Sequence, residues 1–122
     1  MRILLVEDHD MLRQMYSQIL TIGGGHTVVP VSDGQEAWNL IEKRESFDQI
    51  ISDNLMSDMH GVELLRKVRA NASTASTPFT LMSTGNFVSP NDPTPLTDVC
   101  RRYHARFLSK YDVHTFEDLI ST

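Results

Sequence analysis

The sequence predicts an α/β fold in which helices flank a parallel sheet, and two observations support this. Short apolar runs typical of buried parallel strands recur along the chain, and segments with the periodicity of amphipathic helices separate them. A regular alternation of strands and helices builds right-handed βαβ units, whose strands run parallel. The 122 residues suffice for one core, so we expect a single domain over residues 1–122.

Five strands are expected from apolar runs that end at polar or turn-forming residues. Pro30 cannot donate a hydrogen bond to a neighbouring strand, so the second strand is expected at an edge of the sheet. The expected strands cover residues 1–6, 26–31, 47–52, 79–83 and 106–109.

Five helices are expected between and after these strands. The first begins near Asp10, a residue type that caps helices, and ends at the glycines of residues 23–25. The second follows a turn in which either Ser32 or Asp33 can cap it. The second helix covers residues 35–44, and the remaining three cover residues 62–70, 96–104 and 113–120.

Composition and charge exclude several classes of function. The net charge of −5 argues against direct nucleic-acid binding, which depends on a basic surface. No apolar run is long enough for membrane insertion, and the first residues lack the pattern of a signal peptide, so we expect a cytoplasmic protein. The single cysteine, Cys100, excludes an internal disulfide framework and a cysteine-rich zinc site.

Four charged residues stand where an apolar run ends: Glu7 and Asp8 after the first strand, Asp53 after the third and Lys110 after the fifth. Ligands of open α/β sheets bind beyond the carboxyl ends of the strands, where these side chains would converge. Three close carboxylates repel one another and need a cation or a shared proton. Oxygen ligands suit Mg²⁺, and a lysine offers a point charge to a phosphate. The positions therefore indicate a phosphoryl site.

Five short stretches combine into a more specific pattern. They are RILLVED at residues 2–8, IISDNLM at 50–56, DMHGVELLR at 58–66, PFTLMS at 78–83 and FLSK at 107–110. In order and spacing they resemble a response regulator receiver domain of two-component signalling, and the resemblance covers nearly the whole chain. It implies a flavodoxin-like, doubly wound five-stranded sheet in the order 2-1-3-4-5 with helices on both faces.

The resemblance also implies a role for each charged residue. Asp53 would accept a phosphoryl group from a sensor histidine kinase or a phosphotransfer protein. Glu7, Asp8, Asp53 and the backbone carbonyl of Leu55 would hold Mg²⁺. Lys110 would pair with the phosphoryl oxygens. Such a domain is not an enzyme, because at most it catalyses its own phosphorylation and slow self-dephosphorylation.

Two further residues would carry the switch that the resemblance implies. Ser83 would supply the hydroxyl that moves toward phosphorylated Asp53, with Thr84 as its rival, and Phe107 occupies the aromatic switch position. The switch would change the surface of the fourth helix, fifth strand and fifth helix, which a downstream effector protein or an output domain would recognise.

The chain departs from the family pattern in three places. Tyr111 follows Lys110 where the family usually has a cis proline, so we expect either a trans peptide bond there, which would move the lysine amine or the loop before the last helix, or a strained cis bond. Ser57 replaces a proline in the acceptor loop, and residues 86–95 form a long connection with three prolines. These departures support an alternative: a pseudo-receiver that acts as a constitutive protein-interaction module with little phosphorylation.

Two other functions fit the sequence poorly. An aspartate-dependent phosphatase would need a second aspartate at position 55, where the chain has Leu55. A flavodoxin would need a phosphate-binding loop after the first strand, where residues 7–10 are instead rich in acids that repel phosphate.

Overall fold

The computed structural model describes residues 1–120, in which five parallel strands form one sheet with the order β2-β1-β3-β4-β5. The predicted fold class is therefore confirmed, and β2, which contains Pro30, lies at the edge as expected. Strand bounds differ from the predicted ones by at most two residues. The strands are β1 (Arg2–Val6), β2 (Thr27–Val31), β3 (Gln49–Asp53), β4 (Phe79–Ser83) and β5 (Arg106–Ser109).

Five α-helices connect and follow the strands. They are α1 (Asp10–Gln18), α2 (Gly34–Glu42), α3 (Gly61–Ala70), α4 (Leu96–Arg102) and α5 (Phe116–Leu119). A π-helical turn at Ile19–Gly23 continues α1, and a 3-10 helix at Lys110–Asp112 follows β5. Within residues 1–120 no helix combines the length and the apolar character that crossing a membrane requires.

The last helix is shorter than the predicted range 113–120. The carboxylate of Asp118 accepts backbone hydrogen bonds from His114 at 2.8 Å and from Thr115 at 2.9 Å. Asp118 lies in the first turn of the helix, and its carboxylate accepts these two N–H groups from the residues before the helix. Residues 114–115 therefore form the cap, and the helix begins at residue 116.

Two helix caps show how local side chains set the start of α1 and α2. Asp33, one of the two predicted candidates, caps α2 by accepting the Glu36 N–H at 2.8 Å. The cap of α1 is His9 rather than Asp10, because Nδ1 of His9 accepts the Leu12 N–H at 3.3 Å. Asp10 lies in the first turn instead, where acids are favourable.

The sheet separates two hydrophobic cores, as a doubly wound fold requires. Alternate residues of each strand point to opposite sides, so Leu4 and Val6 join one cluster while Ile3 and Leu5 join the other. The larger cluster packs against α2, α3 and α4, and the smaller one packs against α1 and α5. Both faces of the sheet are therefore covered, and its carboxyl edge is left for a site.

Candidate functional site

The carboxyl ends of β1, β3, β4 and β5 lie side by side at one edge of the sheet. In the strand ladders Val6 pairs with Ser52, and Ser83 pairs with Ser109, so the residues that follow these positions emerge together. Each predicted site residue except Phe107 is at this edge or in the loop beyond it. The strand register therefore brings the predicted site residues together at one edge of the sheet, as expected.

Three carboxylates form the acidic cluster of the site. Oxygen atoms of Glu7, Asp8 and Asp53 lie within 4.8 Å of one another. Glu7 is 0% exposed and Asp53 is 6% exposed, whereas Asp8 is exposed to solvent. Burial removes the water that would screen their repulsion, so this cluster calls for a cation. Asp8 provides the side of the cluster that solvent can reach.

Lys110 supplies one positive charge to this cluster. Its Nζ donates to Glu7 Oε2 at 2.9 Å and lies 3.0 Å from Asp53 Oδ1, with the lysine side chain only 12% exposed. One ammonium facing three carboxylates leaves an excess of negative charge. The residues present therefore fit a divalent cation with oxygen ligands, such as Mg²⁺.

The chain after Lys110 explains why the lysine reaches the site without a following proline. The Lys110–Tyr111 peptide bond is trans, and Ser109 Oγ accepts the Tyr111 N–H at 3.3 Å at the start of the 3-10 helix. The turn that begins there keeps the lysine directed at Glu7 and Asp53. The expected trans bond is thus present, and the amine lies at Glu7 and Asp53 rather than away from them.

The titration of Asp53 and Lys110 reflects burial and mutual charge. Burial and the neighbouring charge of Glu7 raise the pKa of Asp53 to about 6, against the smaller opposing effect of Lys110. Burial works to lower the pKa of Lys110, but the charges and hydrogen bonds of Asp53 and Glu7 outweigh it, so this pKa is raised. At neutral pH Asp53 is mostly ionised, as a nucleophile must be, and Lys110 is protonated.

The loop from β3 to α3 fixes the backbone around Asp53. The Asn54 N–H donates to Asp53 Oδ1 at 2.9 Å, and the Gly61 N–H donates to Asn54 O at 2.7 Å. A Cβ atom at Gly61 would collide with the backbone carbonyl oxygen of Asp53, so only glycine fits this position. Leu55 is half-buried in the same loop, two residues after Asp53.

The two hydroxyl candidates at the end of β4 have different environments. Ser83 is 4% exposed, and its Oγ accepts the Gly85 N–H at 3.2 Å. Thr84 is exposed. Ser83 is the last residue of β4, the strand beside β3, which ends at Asp53.

Phe107 lies within β5 rather than at the carboxyl edge. It pairs with Leu81 of β4, is half-buried and packs against the larger hydrophobic cluster. Core packing accounts for this position, and its role as an aromatic switch stays a prediction.

Sequence reasoning missed two polar residues that shape the acceptor loop. Asn54 is 0% exposed, and His60 Nδ1 accepts the Met56 N–H at 3.2 Å. The available signal for Asn54 was its place directly after a strand-terminal aspartate, where an amide can satisfy several backbone groups. His60 lies near the acidic residues in the sequence, which indicates a place at the rim of the site but not its bond to the backbone of Met56.

A 2-1-3-4-5 parallel sheet with a carboxylate cluster and a lysine at its carboxyl edge defines a receiver-like α/β domain. The family model for the response regulator receiver domain matches residues 3–90, which is more than half of the chain. The chain belongs to this family, whose members are signalling modules rather than enzymes of metabolism and bind Mg²⁺ at an acidic pocket.

Relatives and solved structures agree with this assignment. A chemotaxis protein CheY homolog of Campylobacter jejuni is 34% identical over 84 residues, which are 69% of this chain and 65% of the relative. The two-component response regulator ORR42 of Oryza sativa is 42% identical over 74 residues, 61% of this chain and 55% of that protein. The match thus spans less than two thirds of the length of these relatives.

The fold comparison covers more of the chain. The structure of the Vibrio cholerae chemotaxis protein CheY4 superposes with a TM-score of 0.77 at 30% identity, covering 97% of this chain and 91% of CheY4. The architecture of a CheY-like response regulator therefore extends over nearly all of the chain, including the β5 strand before Lys110.

Proposed function

We propose that this chain is a phosphoacceptor receiver domain of a two-component phosphorelay and that Asp53 is its acceptor. The observation that carries the proposal is the buried cluster in which Lys110 Nζ lies 3.0 Å from Asp53 Oδ1, beside Glu7 and Asp8. A pseudo-receiver would not need this costly group of buried charges. The donor would be a sensor histidine kinase or a phosphotransfer protein.

The same residues form the proposed metal site. Glu7, Asp8, Asp53 and the backbone carbonyl of Leu55 would hold Mg²⁺, since three of these supply carboxylate oxygens within 4.8 Å of one another. Bound Mg²⁺ supplies charge neutralisation for the phosphoryl oxygens and fixes their orientation.

The protein's own residues carry out the transfer by position and charge. A carboxylate oxygen of Asp53 attacks phosphorus and forms a P–O bond while the P–N bond of the phosphohistidine breaks. The electron pair of the P–N bond goes to the leaving nitrogen, and a proton from solvent makes the departing imidazole neutral. Lys110, held by Glu7 at 2.9 Å, presents its ammonium to the negative charge of the transferring group. No group besides Asp53 changes its covalent bonds on the receiver.

Phosphorylation would then change the molecular surface. The acyl phosphate adds negative charge and acceptor oxygens, which can attract a nearby hydroxyl. Ser83 fits the role of this hydroxyl better than Thr84, because Ser83 is buried at the carboxyl edge. With Phe107 as the linked aromatic, the surface of α4, β5 and α5 would bind a downstream effector protein or an output domain.

Intact-mass measurement after incubation with Mg²⁺ and acetyl phosphate tests the proposal. We expect one phosphoryl adduct on the wild-type protein and none on Asp53→Asn. Asp58→Asn is the matched control, since Asp58 is an exposed acid of the same loop outside the cluster. A wild-type protein that binds Mg²⁺ but forms no adduct would support the pseudo-receiver instead.

A further inference from the structure

The connection between β4 and α4 contains a preformed hairpin over residues 88–94. The Val88 N–H donates to Thr94 O at 3.0 Å, and Ser89 and Asp92 exchange backbone hydrogen bonds of 3.1 and 3.0 Å. The Asp92 carboxylate also accepts from the Thr94 hydroxyl at 2.7 Å. These bonds are internal to the hairpin and hold its two arms together.

Two side-chain amides tie the connection that carries this hairpin to its surroundings. On the α4 side, Asn86 Oδ1 accepts the Thr97 N–H at 3.1 Å, and Asn86 Nδ2 donates to the Thr97 hydroxyl at 3.3 Å. On the acceptor side, Asn54 Nδ2 donates to Val88 O at 2.9 Å and lies 3.4 Å from Phe87 O. The hairpin is therefore fixed between α4 and the acceptor loop.

Asn54 joins three parts of the structure from a fully buried position. Its side-chain Oδ1 accepts the Val62 N–H at 3.3 Å in the first turn of α3, which has no cap from its own His60 side chain. Its backbone N–H donates to Asp53 Oδ1 at 2.9 Å. With 0% exposure and both side-chain polar atoms bonded, Asn54 has little freedom to move independently of its partners.

We propose that Asn54 is a positioning residue that couples the state of Asp53 to the position of the 88–94 hairpin. The inference rests on the proposed phosphoacceptor function. A change of charge and bonding at Asp53 Oδ1 alters the hydrogen bond from the Asn54 backbone, and the rigid amide transmits the resulting shift to Val88. By linkage, a partner that binds one position of the hairpin more tightly would in turn shift the equilibrium of Asp53 phosphorylation.

Hydrogen exchange of the full chain tests this coupling, with Asn54→Leu and the control Asn86→Ala. Without ligand, we expect residues 87–94 of Asn54→Leu to exchange about three- to tenfold faster than in the wild type, as loss of one hydrogen bond predicts. With Mg²⁺ and beryllofluoride, a phosphoryl mimic, the wild-type hairpin should change its protection. At equal occupancy this change should be lost in Asn54→Leu and kept in Asn86→Ala.

The outcomes separate this proposal from the proposed function. Equal ligand-free exchange in Asn54→Leu and the wild type, or an equal hairpin response to beryllofluoride, would overturn the coupling. A folded wild-type protein that binds no beryllofluoride contradicts the phosphoacceptor function and the coupling that rests on it. In that case the ligand-free exchange of Asn54→Leu and the wild type still shows whether Asn54 anchors the hairpin. If Asn54→Leu does not fold, Asn54→Ser replaces it, because its short hydroxyl stays polar but cannot span to Val88.

Discussion

Lys110 Nζ donates a 2.9 Å hydrogen bond to Glu7 Oε2, joining residues 103 positions apart in the sequence. Glu7 is 0% exposed, and a charge buried to this degree is tolerated only with a partner. The bond links the carboxyl end of β1 to that of β5, across β3, which carries Asp53, and β4. Lys110 is thus a structural partner of Glu7 as well as a proposed ligand of the phosphoryl group.

Lys110→Met should destabilise the protein, because Glu7 and Asp53 would lose their only charged partner within the described residues. We expect a loss of about 3 kcal/mol in the free energy of unfolding, measured by urea denaturation without metal at neutral pH. Lys43→Met removes an exposed lysine at the end of α2 and should change stability by less than about 0.5 kcal/mol. Equal effects of the two substitutions would contradict this assignment.

Asp53→Asn should stabilise the metal-free protein at neutral pH. The pKa of Asp53 is about 6 in the folded state against an ordinary 3.8, so the folded state binds the proton more tightly. The stability of the wild type therefore falls as pH rises from about 4 to 6, and a shift of roughly two pKa units corresponds to at most about 3 kcal/mol.

The uncharged amide of Asp53→Asn avoids this cost. We expect the variant protein to be about 1–3 kcal/mol more stable than the wild type at pH near 7.5. The difference should disappear below about pH 4, where the wild-type carboxyl group is neutral like the variant's amide. Urea denaturation across this pH range measures it. A difference independent of pH would show that burial of the ionised carboxylate is not its source.

Mg²⁺ should stabilise the wild type and act much less on Asp8→Asn. A ligand at 100 times its dissociation constant adds about 2.7 kcal/mol to folding stability, which thermal unfolding with and without Mg²⁺ detects. Asp8 is the exposed member of the cluster, so its substitution removes a proposed ligand without disturbing the buried pair of Glu7 and Lys110. Asp10→Asn, an exposed acid outside the cluster, should keep the full response.

The charged part of the site was predictable from the sequence because the end of each apolar run marks the end of a strand. Glu7, Asp53 and Lys110 each follow such a run, and parallel strands of similar length bring their ends together. The sheet order came from the resemblance to receiver domains, since alternation alone predicts parallel strands but not their arrangement.

Features that depend on distant backbone atoms were not predictable. Asn54 binds Val88 O, 34 residues away, and no local pattern encodes that contact. The sequence also did not predict which residues cap two of the helices. His9 rather than Asp10 caps α1, and Asp118 shortens α5 by accepting two backbone N–H groups. In each case several chemically suitable side chains are near the same backbone groups, and the three-dimensional structure determines which of them forms the hydrogen bond.

Gly61→Ala should damage both stability and phosphorylation, because the added Cβ has no space. It would collide with the carbonyl oxygen of Asp53 and approach Leu81 Cδ1 to 2.6 Å. The oxygen belongs to strand β3 and cannot move without the acceptor, so we expect a loss of about 2–3 kcal/mol in folding stability. The rate of adduct formation with acetyl phosphate should fall at least about tenfold, since a small misplacement of a reacting group is costly.

Gly25→Ala separates this steric effect from the general cost of replacing a glycine. Gly25 has a φ of +66° and open space around its missing side chain, so alanine there should cost about 1 kcal/mol from backbone strain alone. Its rate of adduct formation should equal that of the wild type, because the position lies in the turn before β2, away from the carboxyl edge. If Gly61→Ala is phosphorylated as fast as Gly25→Ala, the close packing of α3 against Asp53 does not position the acceptor.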